Sequence, residues 1–298
     1  MEPLRSIVAA TDLSAPSRHA ADRAMQLAQG SDAAVHLVHV LGSSALDDLK
    51  RWLGAAADAL PAPDDEARQR LHEQASELAL RHGSAVNEHL VAGHPVDALT
   101  RQAEQLQADL LVTGTRGAGF LRGVVIGSTA ERLARRSQRP VLMVRQVAHE
   151  PYRHVLVPVD FSPWSAAALD TAARVLPHAT LLLMHAVELP YEGKLRLAGV
   201  DGSVVARYRA QARREAQQRL QQMAERSGVP SQRLRTIVVE GGDPWMLIAQ
   251  QEQEHDCDLI AIGKHGRHAL EDLLLGSTTR MVLSECSADV LVSTSQTA

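Results

Sequence analysis

The sequence predicts an α/β protein made of two tandem, doubly wound domains. Three observations support this fold class: a length of 298 residues, an internal repeat, and short apolar runs that alternate with helical stretches. A chain of this length normally forms about two domains. Alternating strands and helices are typical of βαβ units, which build a parallel sheet with helices on both faces.

Four blocks of the first half recur in the second at a nearly constant distance. Asp12 corresponds to Asp160, 148 residues further along the chain. Three more blocks recur after 149 residues, namely the Gly-x-Pro at Gly93, the apolar run from Asp109 and the Gly-Ser-Thr at Gly127. This period is much longer than that of a solenoid repeat. We therefore interpret it as a duplicated domain.

The repeat pattern is interrupted between the two halves, where the chain reads Ala-His-Glu-Pro at residues 148–151. Proline disfavours a helical conformation at the residue before it, so this segment is a plausible junction. The predicted domains span residues 1–147 and 152–298.

Each half contains the elements of a five-stranded parallel sheet. In the first half, a short apolar run without polar alternation predicts a buried strand over residues 6–11, and further strands are predicted over residues 34–41, 87–92, 109–113 and 141–145. Helices are predicted over residues 63–82, 96–107 and 128–136, and a further one opens at Ser14, a favoured cap residue. The second half repeats this order from a strand at 154–159 to one at 289–293, with a charged helix over 207–226.

Composition argues against several classes of protein. The net charge of −4 argues against a basic nucleic-acid-binding protein, and 3% aromatic residues argue against base-stacking surfaces. The two cysteines, Cys257 and Cys286, predict a reducing compartment. The sequence shows neither a signal segment nor an apolar run of membrane-spanning length. We expect a cytoplasmic protein that binds neither nucleic acid nor membrane.

A glycine-rich loop recurs in both halves and carries the main functional signal. Each copy reads Gly-x-x-Gly, nine residues, then Gly-Ser-Thr. The motif residues are Gly114, Gly117, Gly127, Ser128 and Thr129 in the first copy, and Gly263, Gly266, Gly276, Ser277 and Thr278 in the second. Glycine lets backbone N–H groups approach an anion closely, and the helix after each loop directs unpaired N–H groups to the same place. The pattern predicts a phosphate-binding loop in each half.

A structural interpretation of this loop is open for the first copy. Ser128 and Glu131 have the spacing of a capping box, in which the serine only caps the helix. In the second copy Arg280 replaces the glutamate, yet the glycine spacing and the hydroxyls are retained. Anion binding explains this retention better than capping does. The loop matches neither a P-loop nor a dinucleotide-binding fingerprint.

Two aspartates are further candidates, and no catalytic or metal site is predicted. Asp12 and Asp160 each follow a strand directly, where they form either an Asx turn or a ligand contact. Ligands of such sheets bind beyond the carboxyl ends of the strands, which favours the ligand contact. None of the 14 histidines belongs to a metal-ligand set of fixed spacing, and no nucleophile–base constellation can be assembled.

These motifs resemble those of the universal stress protein family, specifically a tandem two-domain form of its ATP-binding branch. The resemblance covers nearly the whole chain, through the Asp-x-Ser block, the Gly-x-Pro and the glycine-rich loop. It implies a sheet of strand order 3-2-1-4-5 in each domain. It also implies that ATP, accompanied by Mg²⁺, lies between the first and fourth strands.

The resemblance also implies roles for individual residues. Asp12 and Asp160 are expected to face the adenosine, and the backbones of Val40 and Ala186 to contact the adenine. The loop residues would hold the ribose and phosphates. Asp289 departs from the family pattern, because its counterpart in the first half is Pro140.

The expected function is a stress-response regulator in which the nucleotide is a regulatory ligand and a protein is the unidentified partner. Without a general base, ATP turnover is expected to be slow or nil. Two alternatives stay open: a slow ATPase or phosphotransferase, and a nucleotide-free scaffold whose loops are structural. Homodimerisation also stays open.

Overall fold

The computed structural model describes residues 2–42, 63–115, 126–187, 197–198, 200–266 and 274–294. The chain divides into two compact units. Unit 1 consists of residues 1–151 together with 273–275 and 289–295, and unit 2 consists of the other residues. Within the described ranges, none of the helices combines the length and the apolar character that crossing a membrane requires.

The N-terminal part of unit 1 alternates strands and helices. Its strands are β1 (Ser6–Thr11), β2 (Ala34–Leu41), β3 (Val86–Ala92), β4 (Leu110–Gly114) and β5 (Val141–Val144). Its helices are α1 (Ala15–Ala28), α2 (Pro63–His82), α3 (Pro95–Gln105) and α4 (Ser128–Arg136). The five strands are parallel in the order β3-β2-β1-β4-β5, which confirms the predicted order for the first half.

Unit 2 repeats this arrangement. Its strands are β6 (His154–Pro158), β7 (Thr180–Val187), β8 (Leu234–Glu240) and β9 (Leu259–Gly263). Its helices are α5 (Pro163–Val175), α6 (Gly202–Arg226), α7 (Pro244–Glu254) and α8 (Ser277–Glu285). The strands are parallel in the order β8-β7-β6-β9, equivalent to the first four of unit 1. The predicted α/β fold class is confirmed.

The start of α6 differs from the prediction of a helix over 207–226. The helix begins at Gly202, because the carboxylate of Asp201 accepts a hydrogen bond of 2.8 Å from the N–H of Ser203 and caps the first turn. Gly202 is the first residue of the helix, a place where glycine is tolerated.

The core explains why the central strands lack polar alternation. Every residue of β1, β4 and β5 is buried. Helix α1 packs against β1 and β4, and its small side chains Ala20, Ala21 and Ala24 are completely buried. Strand β3 lies at the end of the strand order and is partly exposed. Two of these three completely buried strands, β1 and β4, carry the predicted site at their carboxyl ends.

The C-terminal strand β10 (Asp289–Ser293) pairs antiparallel with β5 and belongs to unit 1. The buried carboxylate of Asp289 accepts hydrogen bonds from the N–H groups of Arg145, at 2.7 Å, and Gln146, at 3.0 Å. The buried guanidinium Nε of Arg23 lies 3.8 Å from the other carboxylate oxygen. This aspartate fixes the segment that follows β5, a role that its counterpart Pro140 could not perform.

We predict that Asp289→Ala destabilises the protein strongly. The change leaves two backbone donors and the Arg23 guanidinium without this acceptor in a buried setting, at a cost of about 3–5 kcal/mol. Urea titration of the unfolding free energy measures the loss. Asp243→Ala is the matched control, because that aspartate is exposed and makes no capping bond. Equal stability of the two variants would contradict the proposed role of Asp289.

Candidate functional site

The parallel sheet brings most of the predicted site residues to one edge in each unit. In unit 1, Asp12 follows β1, Val40 lies near the end of β2 and Gly114 ends β4. In unit 2, Asp160, Ala186 and Gly263 occupy the equivalent places around β6, β7 and β9. Gly117 lies outside the described residues. The carboxyl ends of these strands form the candidate site.

Both strand-end aspartates form an Asx turn. The carboxylate of Asp12 accepts a hydrogen bond of 3.1 Å from the N–H of Ser14, and that of Asp160 accepts one of 2.9 Å from the N–H of Ser162. The hydroxyls of both serines donate to the same carboxylates. The structural interpretation of the aspartates is therefore confirmed for one carboxylate oxygen in each unit.

The predicted cap of the first helix is wrong in its mechanism. Ser14 occupies the N-cap position of α1, but its side chain accepts no capping bond, and its hydroxyl donates to Asp12. The equivalent Ser162 both donates to Asp160 and accepts a bond of 3.2 Å from the N–H of Ser165.

The residue after each aspartate has an unusual backbone conformation. Leu13 and Phe161 have φ angles of 65° and 62°, in the left-handed region that bulky side chains rarely adopt. Such conformations persist only where the surroundings fix them, and they are concentrated at binding sites. The same strain at equivalent positions of two units therefore marks this turn as part of the candidate site.

Each unit has a histidine near the end of its second strand that the sequence analysis did not predict as a site residue. The ring Nδ1 of His39 lies 2.8 Å from the carbonyl oxygen of Thr11, and that of His185 lies 2.6 Å from the carbonyl oxygen of Val159. Each histidine therefore donates to the carbonyl just before the site aspartate. The signal in the sequence was their recurrence, directly before Val40 and Ala186.

One backbone hydrogen bond joins the two ends of the glycine-rich loop in each unit. The N–H of Gly127 donates to the carbonyl of Thr115 at 2.7 Å, and the N–H of Gly276 donates to the carbonyl of Lys264 at 3.0 Å. The same bond thus forms between equivalent residues although the loop sequences differ. It fixes the start of the following helix beside the end of the fourth strand.

The carbonyl oxygen of the last residue of the fourth strand accepts a hydrogen bond from a different hydroxyl in each unit. In unit 1 the hydroxyl of Thr113 donates to the carbonyl of Gly114 at 3.2 Å. In unit 2 the hydroxyl of Thr279 donates to the equivalent carbonyl, of Gly263, at 2.8 Å. Both loops therefore start from a hydrogen-bonded strand end.

The capping-box interpretation of Ser128 is contradicted. The N-cap residue of α4 is Gly127, which has no side chain that could cap the helix. Ser128 is the first helical residue. The equivalent Gly276 is the N-cap of α8. The first intrahelical bonds are donated by Glu131 and Arg280, so the N–H groups before them have no acceptor within the helix. These N–H groups and the partial positive charge of the helix favour an anion.

The first and third glycines of the second loop differ in whether the fold requires a glycine at that position. A Cβ on Gly263 would lie 2.8–2.9 Å from backbone and side-chain atoms of Trp164, so close packing against α5 requires glycine there. Gly276 has an ordinary φ of −56°, and a Cβ on it would make only contacts of 3.5 Å or more. The fold therefore requires the glycine at 263 but not the one at 276.

The second glycine brings the loop and the aspartate together. A Cβ on Gly266 would lie 3.0 Å from the carboxylate Oδ2 of Asp160. Asp160, the loop and the start of α8 are therefore neighbours in unit 2. Lys264 and His265, between the first two glycines, are buried, and the His265 ring contacts Trp164 edge-on at a centroid distance of 4.7 Å.

The two cysteines, Cys257 and Cys286, are buried. Burial, followed by the nearby carboxylates, raises the pKa of the Cys257 thiol to about 12. A thiol with such a pKa is a poor nucleophile near neutral pH. Among the described residues, no three His, Cys, Asp or Glu side chains form a group that could hold a metal ion.

We predict opposite effects of serine at the first and third glycines of the second loop. Gly263→Ser forces atoms against the Trp164 backbone and should cost about 1–3 kcal/mol of unfolding free energy. Gly276→Ser places a favoured cap residue on a compatible backbone and should leave stability equal or slightly higher. Urea denaturation of both variants tests this. A loss in Gly276→Ser as large as that in Gly263→Ser would contradict the assignment.

Comparisons with known proteins identify relatives of this chain. A universal stress protein of Mycobacterium tuberculosis is 31% identical over 223 residues, covering 70% of this chain and 68% of that protein. Universal stress protein A homolog 1 of Coxiella burnetii is 30% identical over 145 residues, covering 47% and 94%. The crystal structure of a universal stress protein from Archaeoglobus fulgidus has the same fold, with a TM-score of 0.69 at 20% identity, covering 96% of this chain and 97% of that one. The model of the universal stress protein family matches residues 3–145 and again 151–293, so the chain belongs to this family, with two family domains in tandem.

Proposed function

We propose that each unit binds an adenine nucleotide, ATP with Mg²⁺, and that the nucleotide acts as a regulatory ligand in a stress response. The observation that carries this proposal is the glycine at both helix N-caps. Gly127 and Gly276 have φ angles of −69° and −56°, which any residue can adopt. Serine would cap the helices slightly better, and a Cβ on Gly276 would make no contact under 3.5 Å, so the fold does not require glycine there. Close approach of a ligand would require it.

The phosphates are proposed to lie at the start of α4 and α8. In both units the first helical residue is an exposed serine, Ser128 or Ser277, and the next, Thr129 or Thr278, is half-buried. Their N–H groups and hydroxyls supply donors for phosphate oxygens. Mg²⁺ usually binds through phosphate oxygens and waters rather than through an all-protein cage. The nucleotide would therefore bring most of the ligands of its own metal ion.

The nucleoside is proposed to lie over the ends of the first two strands. Asp12 and Asp160 stand beside the strained turns and would face the ribose and base. The backbones of Val40 and Ala186 would contact the adenine. Both lie at the carboxyl end of a strand and are half-buried, so a flat apolar base can cover them.

Regulation rather than turnover is the proposed role of the nucleotide. The carboxylates of Asp12 and Asp160 are each bound to the hydroxyl and N–H of the adjoining serine, which positions them as acceptors rather than as bases for an attacking water. Membership of the universal stress protein family supports a stress-response role. A nucleotide could change the affinity for a protein partner only by binding two states of the chain unequally.

We predict that the full chain binds ATP–Mg²⁺ at two sites. Gly127→Ser should remove the first site and Gly276→Ser the second, because a side chain at the N-cap occupies the space of a phosphate. Isothermal titration calorimetry of the wild type, both single variants and the double variant measures the stoichiometry. Gly30→Ser, at a glycine with no atom within 4 Å of its Cβ position, is the control and should keep both sites.

Binding that persists in the double variant would contradict the placement of the phosphates. A wild-type chain that binds no ATP at about millimolar concentration would support the nucleotide-free scaffold instead. Continuous phosphate release that is abolished by Asp12→Ala and Asp160→Ala would support the slow ATPase or phosphotransferase.

A further inference from the structure

The two candidate sites differ at one position of the long helix that follows the second strand. Helices α2 and α6 can be aligned by the left-handed glycines just beyond their ends, Gly83 with φ of +69° and Gly228 with φ of +68°. These glycines are 145 residues apart, and so are Gln74 and Arg219. Gln74 and Arg219 therefore occupy equivalent places in the two units.

A second pair of contacts supports the same alignment. In unit 1 the ring Nδ1 of His72 lies 2.9 Å from the carboxylate of Glu88 on β3. In unit 2 the amide of Gln217 donates to the hydroxyl of Thr236 on β8 at 3.1 Å. His72 and Gln217 are again 145 residues apart, and they contact equivalent positions of the third strand.

In unit 1 this helix position presents a neutral amide to the site. The hydroxyl of Thr11, the last residue of β1, donates to the side-chain oxygen of Gln74 at 2.9 Å. Gln74 is 5% exposed, and its amide nitrogen has no hydrogen-bond partner among the described residues. The same Thr11 hydroxyl accepts a bond of 3.0 Å from the N–H of the strained residue Leu13.

In unit 2 the equivalent position presents a cation. The guanidinium carbon of Arg219 lies 4.1 Å from the ring centroid of Phe161, the strained residue directly after Asp160. The ring of His185 also contacts Phe161, at 4.4 Å between ring centroids and an interplanar angle of 42°. Arg219 is exposed, so its charge can face a bound anion. Stacking on an aromatic ring holds a guanidinium in place.

The loops do not add to this difference in charge. Residues 114–127 of unit 1 include Arg116 and Arg122 and no acidic residue, whereas residues 263–276 of unit 2 include two basic and two acidic residues. The difference that matters here is therefore the one on the long helix, Arg219 against Gln74.

We propose that Arg219 is a specificity-determining residue of the second nucleotide site, where its charge favours the more anionic nucleotide. In unit 1 the neutral Gln74 gives no such preference. The inference rests on the proposed nucleotide binding. Its signature is a difference in salt dependence, because added salt screens the attraction between an exposed cation and the ligand.

The test uses the full chain and calorimetric titration with ATP and with AMP, without added Mg²⁺, at about 50 mM and about 300 mM salt. ATP carries the greater negative charge. Arg219→Gln should lower the affinity for ATP at one of the two sites about threefold to fivefold at low salt. The loss of affinity should be smaller at high salt, and smaller for AMP. Arg219→Lys should retain most of the preference, because it keeps the charge and loses only the planar stack.

Two control variants isolate the contribution of the Arg219 charge at its own site. Arg214→Gln removes the same charge from another exposed position of α6 and should leave both sites unchanged. In a Gly276→Ser background, which lacks the second site, Arg219→Gln should have no effect.

Equal changes for ATP and AMP, or an Arg219→Lys variant as weak as Arg219→Gln, would show that Arg219 acts only through packing and would overturn the inference. The proposed nucleotide binding would survive that result. A wild-type chain that binds neither nucleotide would overturn the proposed function, and this inference with it.

Discussion

The candidate sites depend on one backbone hydrogen bond per unit, from the N-cap glycine to the residue after the fourth strand. In unit 1 it joins Gly127 to Thr115, and in unit 2 it joins Gly276 to Lys264. It holds the start of the following helix beside the end of the fourth strand. The N–H groups of the first helical turn therefore lie at the carboxyl edge of the sheet, where the site aspartate also lies.

The surroundings of this bond show that the two units reach the same geometry by different contacts. Thr113 satisfies the strand-end carbonyl in unit 1, and Thr279 satisfies it from the following helix in unit 2. Likewise, the long helix contacts the site turn through an amide at Gln74 and through a guanidinium at Arg219. The backbone framework is therefore shared, while the side chains around it differ, and this combination allows two related sites with unequal ligand preferences.

The repeat and the apolar runs were sufficient to predict the fold class, because buried parallel strands and glycine spacing are local features of the sequence. The contacts across the site were less predictable. The bond from His39 to Thr11 joins two strands, and nothing in either strand alone indicates it. The role of Ser128 was ambiguous because a capping box and a first-turn serine have the same sequence pattern. Asp289 looked like a departure from the repeat, and only the pairing of β10 with β5 explains it.

The most direct test of the proposed nucleotide sites is a crystal structure of the full chain grown with excess ATP and Mg²⁺. We expect electron density for phosphates within hydrogen-bond distance of the N–H groups of Ser128 and Ser277, with the adenine over the ends of β2 and β7. A nucleotide bound elsewhere, with both helix N-termini unoccupied, would contradict the proposed sites.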